Sequence, residues 1–149
     1  MFGPQIFYIL LFSICAYAFW FGGRDERLVA GMCIVGTFAT VALVSPLEHR
    51  YAGIEVGVLA VDFAMFLGFV AVAMKTRRFW PLWIAGLQLT TTFGHLLKGI
   101  NFDLLPQAYG AALIFWSYPI LIILAIGTWR SRRRLLQSQS QLESGATPV

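Results

Sequence analysis

Five apolar runs, separated by short polar connections, constrain this chain more than any other feature. A lipid environment requires every backbone N–H and C=O to be hydrogen-bonded internally, so an apolar run of about 20 residues folds as a helix. The runs cover approximately residues 2–21, 28–44, 54–74, 80–97 and 109–129. We therefore predict an all-α integral membrane protein, built as a bundle of five transmembrane helices.

The basic residues lie in alternate connections. Nine of the eleven Lys and Arg residues fall in the first and third connections and after the last run, which leaves Arg50 and Lys98 in the second and fourth. Cytoplasmic loops accumulate Lys and Arg. The pattern predicts a multi-pass plasma-membrane protein, of the bacterial inner membrane, with its N-terminus outside and its C-terminus cytoplasmic. Residues 1–134 form the transmembrane domain, and the Gln- and Ser-rich tail, 135–149, is predicted to be disordered.

Composition supports a membrane protein and limits its partners. Hydrophobic residues make up 58% of the chain and charged residues 12%, which leaves too little polar material for a soluble globule of this size. The net charge of +4 comes from connections beside apolar runs, where topology and anionic headgroups account for it. We expect no nucleic-acid partner. The expected partners are the lipid bilayer and either other membrane-protein subunits or further copies of this chain.

The third run combines two different faces, so we expect its helix to be buried on two sides at the centre of the bundle. One face is a stripe of small residues, which lets another helix backbone approach closely. The predicted packing residues are Gly53, Gly57, Ala60, Ala64, Gly68 and Ala71. The opposite face carries Glu55 and Asp62. An acid near mid-span costs about 2.5–3.5 kcal/mol on insertion scales, so Asp62 needs a protein or water partner.

The fourth run supplies candidate partners at spacings of three, four and seven residues, which place them on one helical face. These residues are Gln88, Thr91, Thr92, His95 and Lys98. At 1.5 Å per residue, Asp62 lies about 12 Å below the outer boundary and Thr92 about 19 Å from the cytoplasmic end, so their depths are similar. We predict a polar seam in the outer half of the bundle. The predicted pairs are Asp62 with Thr91, Thr92 or His95, and Glu55 with Lys98.

Three interpretations of the seam stay open from the sequence. Asp62 and His95 could fix the helix register as a structural pair, or titrate in turn as a proton or ion site for transport. His95 could instead ligate a haem or chlorin, although one intramembrane histidine is a non-specific signal. Pro119, inside the fifth run, is predicted to kink its helix.

No established catalytic motif is present, and we do not expect an enzyme. The serines have no histidine and acid arranged around them for nucleophilic catalysis, although an intramembrane enzyme using Asp62 and His95 as acid and base is an alternative. The acidic residues and histidines lack compact metal-ligand spacing, so no metal site is predicted. The leading hypothesis is an accessory or assembly subunit of a larger membrane complex, acting by helix packing. The alternative is a small homo-oligomeric channel or proton-coupled carrier, and a pigment- or haem-binding subunit ranks third.

Overall fold

The computed structural model describes residues 4–43, 56–100 and 106–145, and these residues form five helices and no strand. Side chains are described for 5–43, 56–97 and 115–145. The all-helical prediction is confirmed. The helices are α1 (Pro4–Phe21), α2 (Arg24–Leu43), α3 (Val56–Lys75), α4 (Trp80–Ile100) and α5 (Pro106–Glu143).

Local signals explain several helix ends. Proline is the first residue of α1 and α5 and the second of α4, positions where its missing N–H costs no internal hydrogen bond. Asp25 and Glu26 occupy the first turn of α2, and Lys75 ends α3, as the helix dipole favours. Inside the helices, Thr37 and Thr128 donate their hydroxyls to the carbonyls four residues earlier, at 2.8 and 2.9 Å. These bonds satisfy the threonine hydroxyls within their own helices.

The five helices form a closed ring in which each contacts its neighbours in sequence and α5 contacts α1. Within the described residues α2 also contacts α5 across the ring, whereas α3 contacts only α2 and α4. Therefore α3 does pack on two sides, but α2 and α5 lie nearer the centre. One hydrophobic cluster joins all five helices. Its buried members are Leu11, Cys15, Ala18, Val29, Ala30, Cys33, Phe69, Val72, Ile84, Ala85, Ile120, Leu121 and Leu124.

Membrane-spanning character differs among the helices. Within the described residues, α2 and α3 are long and apolar enough to cross a membrane, judged by length and composition alone, and the apolar helix Gln5–Phe21 is shorter. The described side chains of α4 include glutamine, histidine and three threonines, which lower its mean hydropathy. Two of the five predicted spans are thus supported, and a five-span bundle stays a prediction.

Part of the C-terminal segment continues the last helix. We expected disorder from residue 135, but α5 continues to Glu143. Leu, Gln and Glu in this segment favour a helix, and Ser138 donates to the Arg134 carbonyl at 3.0 Å. Gly145, with a φ of 65°, follows the last turn in the left-handed conformation that commonly ends helices.

The tight turn between α1 and α2 depends on Gly22. A Cβ atom at this position would lie 2.3 Å from the Ala18 carbonyl oxygen and 2.7 Å from the Glu26 Cβ. We expect Gly22→Ala to lower the free energy of unfolding by about 1–2 kcal/mol because the backbone would have to shift. Gly86→Ala is the control: nothing lies within 4 Å of its added Cβ, and alanine favours a helix. Thermal unfolding in one detergent measures both, and equal midpoints would contradict the prediction.

Candidate polar site between helices 3 and 4

Asp62 of α3 is contacted by two side chains of α4. Gln88 Nε2 donates to Asp62 Oδ1 at 3.0 Å, and His95 Nε2 lies 2.9 Å from Asp62 Oδ2. The Asp62 side chain is 14% exposed and the His95 side chain 10%. Both carboxylate oxygens therefore have a partner in largely buried surroundings, as an acid in an apolar bundle requires. We call these three residues the Asp62 site.

Helix geometry brings these residues together. Gln88 and His95 are seven residues apart, two turns along the same face of α4, so their Cα atoms differ in depth by about 10 Å. The short connection after Lys75 makes α4 run antiparallel to α3. The carboxylate is consequently reached by the glutamine and the histidine from different levels of α4. The site can hold the two helices in one register, and it can also exchange a proton between carboxylate and imidazole.

Thr91 and Thr92 are buried on α4, but their hydroxyls serve their own helix. Thr91 donates to the Leu87 carbonyl at 3.3 Å, and Thr92 donates to the Gln88 carbonyl at 2.9 Å. Of the predicted partners of Asp62, His95 is the one within hydrogen-bonding distance. Gln88 was predicted to lie on the same polar face, with no partner assigned to it. It makes the other contact with Asp62.

Some predicted site residues lie outside the described part of the chain. Glu55 and Gly53 are among them, and Lys98 belongs to α4 but its side chain is not described. The Glu55–Lys98 pair stays a prediction. Pro119 lies inside α5, which continues on both sides of it, and the neighbouring Tyr118 packs edge-on against the ring of Phe7 at 5.8 Å. The predicted kink also stays a prediction.

The small-residue stripe of α3 divides into two parts. A Cβ on Gly57 would lie 3.3 Å from Leu43 Cβ, and one on Gly68 would lie 2.2 Å from Met32 Cε, so both glycines face α2. The alanines of the stripe are exposed. They share an exposed surface with large apolar residues, and we call this surface the outer face of α3. It consists of Val56, Ala60, Phe63, Ala64, Leu67, Ala71 and Met74.

A second polar cluster lies at the opposite end of the bundle, and the sequence reasoning missed it. Glu26 is 1% exposed and pairs with Arg78 of the α3–α4 connection, whose Nη1 also lies 3.0 Å from the Ser131 hydroxyl of α5. Beside them, the Thr76 hydroxyl donates to Asp25 Oδ2 at 2.7 Å. We call these five residues the Glu26 cluster. A detectable signal was present, since adjacent acids begin α2 on the side of the bundle that carries the basic third connection.

Cofactor ligands are not grouped in the part of the chain that the structure describes. No set of three or more His, Cys, Asp or Glu side chains there could hold a metal ion. If His95 held a haem through Nε2, that nitrogen would lose its contact with Asp62. Cys15 and Cys33 are buried free thiols, and the Cys15 Sγ lies 3.6 Å from the Ala30 carbonyl oxygen.

No family model matches the chain, and neither a curated protein nor a solved structure matches it. Function must therefore be argued from the Asp62 site, the Glu26 cluster and the exposed surfaces. A fold of packed helices does not by itself specify an activity.

Proposed function

We propose that this protein is a five-span membrane protein, with its N-terminus outside and its C-terminus in the cytoplasm, that serves as an accessory or assembly subunit of a larger membrane complex. Membrane insertion is supported by the low burial of α2 and α3. Only 28% of the apolar span of α2 and 17% of that of α3 are buried. A core helix of a soluble protein would be mostly buried. Large apolar side chains on these helices, such as Val35, Phe38 and Leu67, are instead exposed, as lipid contact allows.

The outer face of α3 is the observation that carries the subunit proposal. Because α3 contacts only α2 and α4 within the described residues, this face has no partner there. Lipid tails are as apolar as leucine, so helices associate in membranes through close packing, and small residues permit that approach. Ala60, Ala64 and Ala71 provide the close approach, while Phe63 and Leu67 provide adjoining apolar surface.

The Asp62 site supports the same proposal by positioning α3. Its contacts join Asp62 of α3 to two levels of one face of α4, which fixes the rotation of α3 about its own axis. A slip of one residue would turn α3 by 100° and move Asp62 away from Gln88 and His95. The outer face is thereby held in a defined orientation toward a partner helix. No reaction at Asp62 is required for this role.

Co-purification from native membranes tests the proposal. The tagged chain, extracted in mild detergent, is expected to bring a second membrane protein in constant stoichiometry. We expect Ala64→Phe to weaken this association on the order of tenfold, because overpacking a close contact costs about 1–3 kcal/mol and 1.4 kcal/mol is tenfold. Gly86→Phe adds a ring at an exposed position of α4 and is the matched control. Recovery of the chain alone, as one homogeneous species, would contradict the proposal.

A proton or cation pathway through a small homo-oligomeric channel or carrier is the second candidate. It is favoured by one observation, the 2.9 Å contact between the Asp62 carboxylate and the His95 imidazole. Such a pair can pass a proton between an acid and a base. Proton or cation flux into liposomes containing the purified protein distinguishes this candidate. Flux that is unchanged in Asp62→Asn and His95→Ala would reject it.

A further inference from the structure

The turn between α1 and α2 borders an open groove of about 510 Å³. Its lining comes from the last turn of α1, the two glycines of the connection and the first residues of α2: Phe19, Gly22, Gly23, Arg24, Arg27 and Leu28. The groove therefore lies where α1 and α2 meet at the basic side of the bundle.

Two uncompensated arginines face this groove. Arg24 and Arg27 are three residues apart on α2, which places them on the same side of the helix, and both are exposed. The acids of the same turn are engaged elsewhere, since Asp25 accepts from Thr76 and Glu26 pairs with Arg78. Across the described residues, neither groove arginine forms an ion pair. The groove therefore carries two positive charges that no acidic side chain among the described residues neutralises.

The remaining walls are apolar and exposed. Phe19 is 43% exposed and Leu28 is 47% exposed, and both adjoin the arginines along the groove. A small inorganic anion would use the guanidinium groups and leave these side chains uncovered. A phospholipid would use both parts, because its phosphate is anionic and its acyl chains are apolar. The combination of charge and apolar surface favours a lipid over a soluble anion.

We propose that this groove is a binding site for an anionic phospholipid, with Arg24 and Arg27 on the headgroup phosphate and an acyl chain along Phe19 and Leu28. Guanidinium groups bind phosphate oxygens in a bidentate geometry that an ammonium group cannot reproduce. The inference rests on the membrane topology of the proposed function, which places the groove at the cytoplasmic leaflet. It is independent of whether the outer face of α3 has a protein partner.

Native mass spectrometry of the full chain in detergent, titrated with phosphatidylglycerol or phosphatidylcholine, tests the site. The wild-type protein is expected to retain phosphatidylglycerol in preference to phosphatidylcholine. Each basic residue near anionic lipid contributes about 1 kcal/mol, so we expect about fivefold weaker binding in Arg24→Gln and in Arg27→Gln, and about thirtyfold in the double variant. Arg130→Gln removes an exposed charge on the same side of the bundle, outside the groove lining, and is expected to retain wild-type binding.

Three results would overturn the proposal. Equal retention of the two lipids would show that headgroup charge is not recognised, and equal losses in Arg130→Gln and the groove variants would show a diffuse charge effect. Displacement of the lipid by glycerol 3-phosphate at equal concentration would show a soluble-anion site in place of a lipid site. Both groove arginines are exposed, so the variants are expected to keep the wild-type unfolding midpoint. The titration uses the isolated chain, so its failure would leave the co-purification test of the subunit proposal unaffected.

Discussion

Replacing Arg78 with methionine is expected to lower the free energy of unfolding by about 3 kcal/mol, because Glu26 would become an unpaired buried carboxylate. Removing one partner of a buried ion pair costs about 3–5 kcal/mol, and the lower end applies here because the Arg78 side chain is 31% exposed and water can reach it. Methionine keeps an aliphatic stem, so the loss of stability measures the contribution of the Arg78 charge and its hydrogen bonds. Reversible unfolding in a single detergent, followed by far-UV circular dichroism, measures the change.

Two controls isolate the ion pair. Glu26→Gln removes the buried charge while keeping an acceptor for Arg78, so the double variant Glu26→Gln/Arg78→Met is expected to recover part of the loss of Arg78→Met. Arg77→Met removes a neighbouring exposed charge and is expected to change stability by less than about 0.5 kcal/mol. If Arg77→Met and Arg78→Met destabilised the protein equally, the buried pair would not be the cause.

Replacing His95 with alanine is expected to cost about 2–4 kcal/mol, since it leaves one oxygen of the Asp62 carboxylate without its partner in apolar surroundings. Asp62→Asn removes the charge but keeps groups that hydrogen-bond with Gln88 and His95, so we expect a loss of about 1 kcal/mol or less. The double variant Asp62→Asn/His95→Ala should be more stable than the sum of the single losses predicts, with a coupling of about 1–3 kcal/mol. Additive losses would mean that the pair is not coupled in solution.

The same variants separate the two proposed roles of the Asp62 site. If the site positions α3, Asp62→Asn keeps both stability and the co-purifying partner, while His95→Ala loses both together. If the site carries protons or cations, Asp62→Asn abolishes flux although its unfolding midpoint is close to that of wild type. Stability, co-purification and flux measured on one set of variants therefore give different patterns for the two roles.

The sequence was most informative about features that depend on the regular geometry of an α-helix. Rise per residue and the 100° turn predicted similar depths for Asp62 and the polar face of α4, and the structure has His95 Nε2 2.9 Å from the carboxylate. This geometry could not distinguish the threonines from Gln88 as partners of Asp62. The reach of each side chain and competition from backbone carbonyls decide which groups form a hydrogen bond. Thr91 and Thr92 bond the carbonyls one turn back, a local solution open to hydroxyls but not to a carboxylate.

Other features depend on contacts between segments distant in sequence. The position of α3 relative to α5 follows from how the ring closes, and no hydrophobic pattern within one helix specifies it. The Glu26–Arg78 pair joins residues 52 positions apart. From the sequence, their charges could be used only to predict topology. The topology rule depends on the number of basic residues near span ends and does not indicate which residues pair. The helix beyond residue 135 was not predicted, because the Gln- and Ser-rich composition was taken to indicate disorder although nothing in this segment interrupts the helix.

The length of α5 gives the molecule a projecting arm. From Arg130 to Glu143 the helix continues for a distance of about 20 Å at 1.5 Å per residue, with nearly all of its side chains exposed after Ser131. The arm continues the part of α5 that packs in the bundle, and Arg132 stacks over the Phe21 ring at 3.9 Å near the base of the arm. Under the proposed topology, a tilt of α5 in the bilayer would become a displacement of several ångströms at the arm's tip in the cytoplasm.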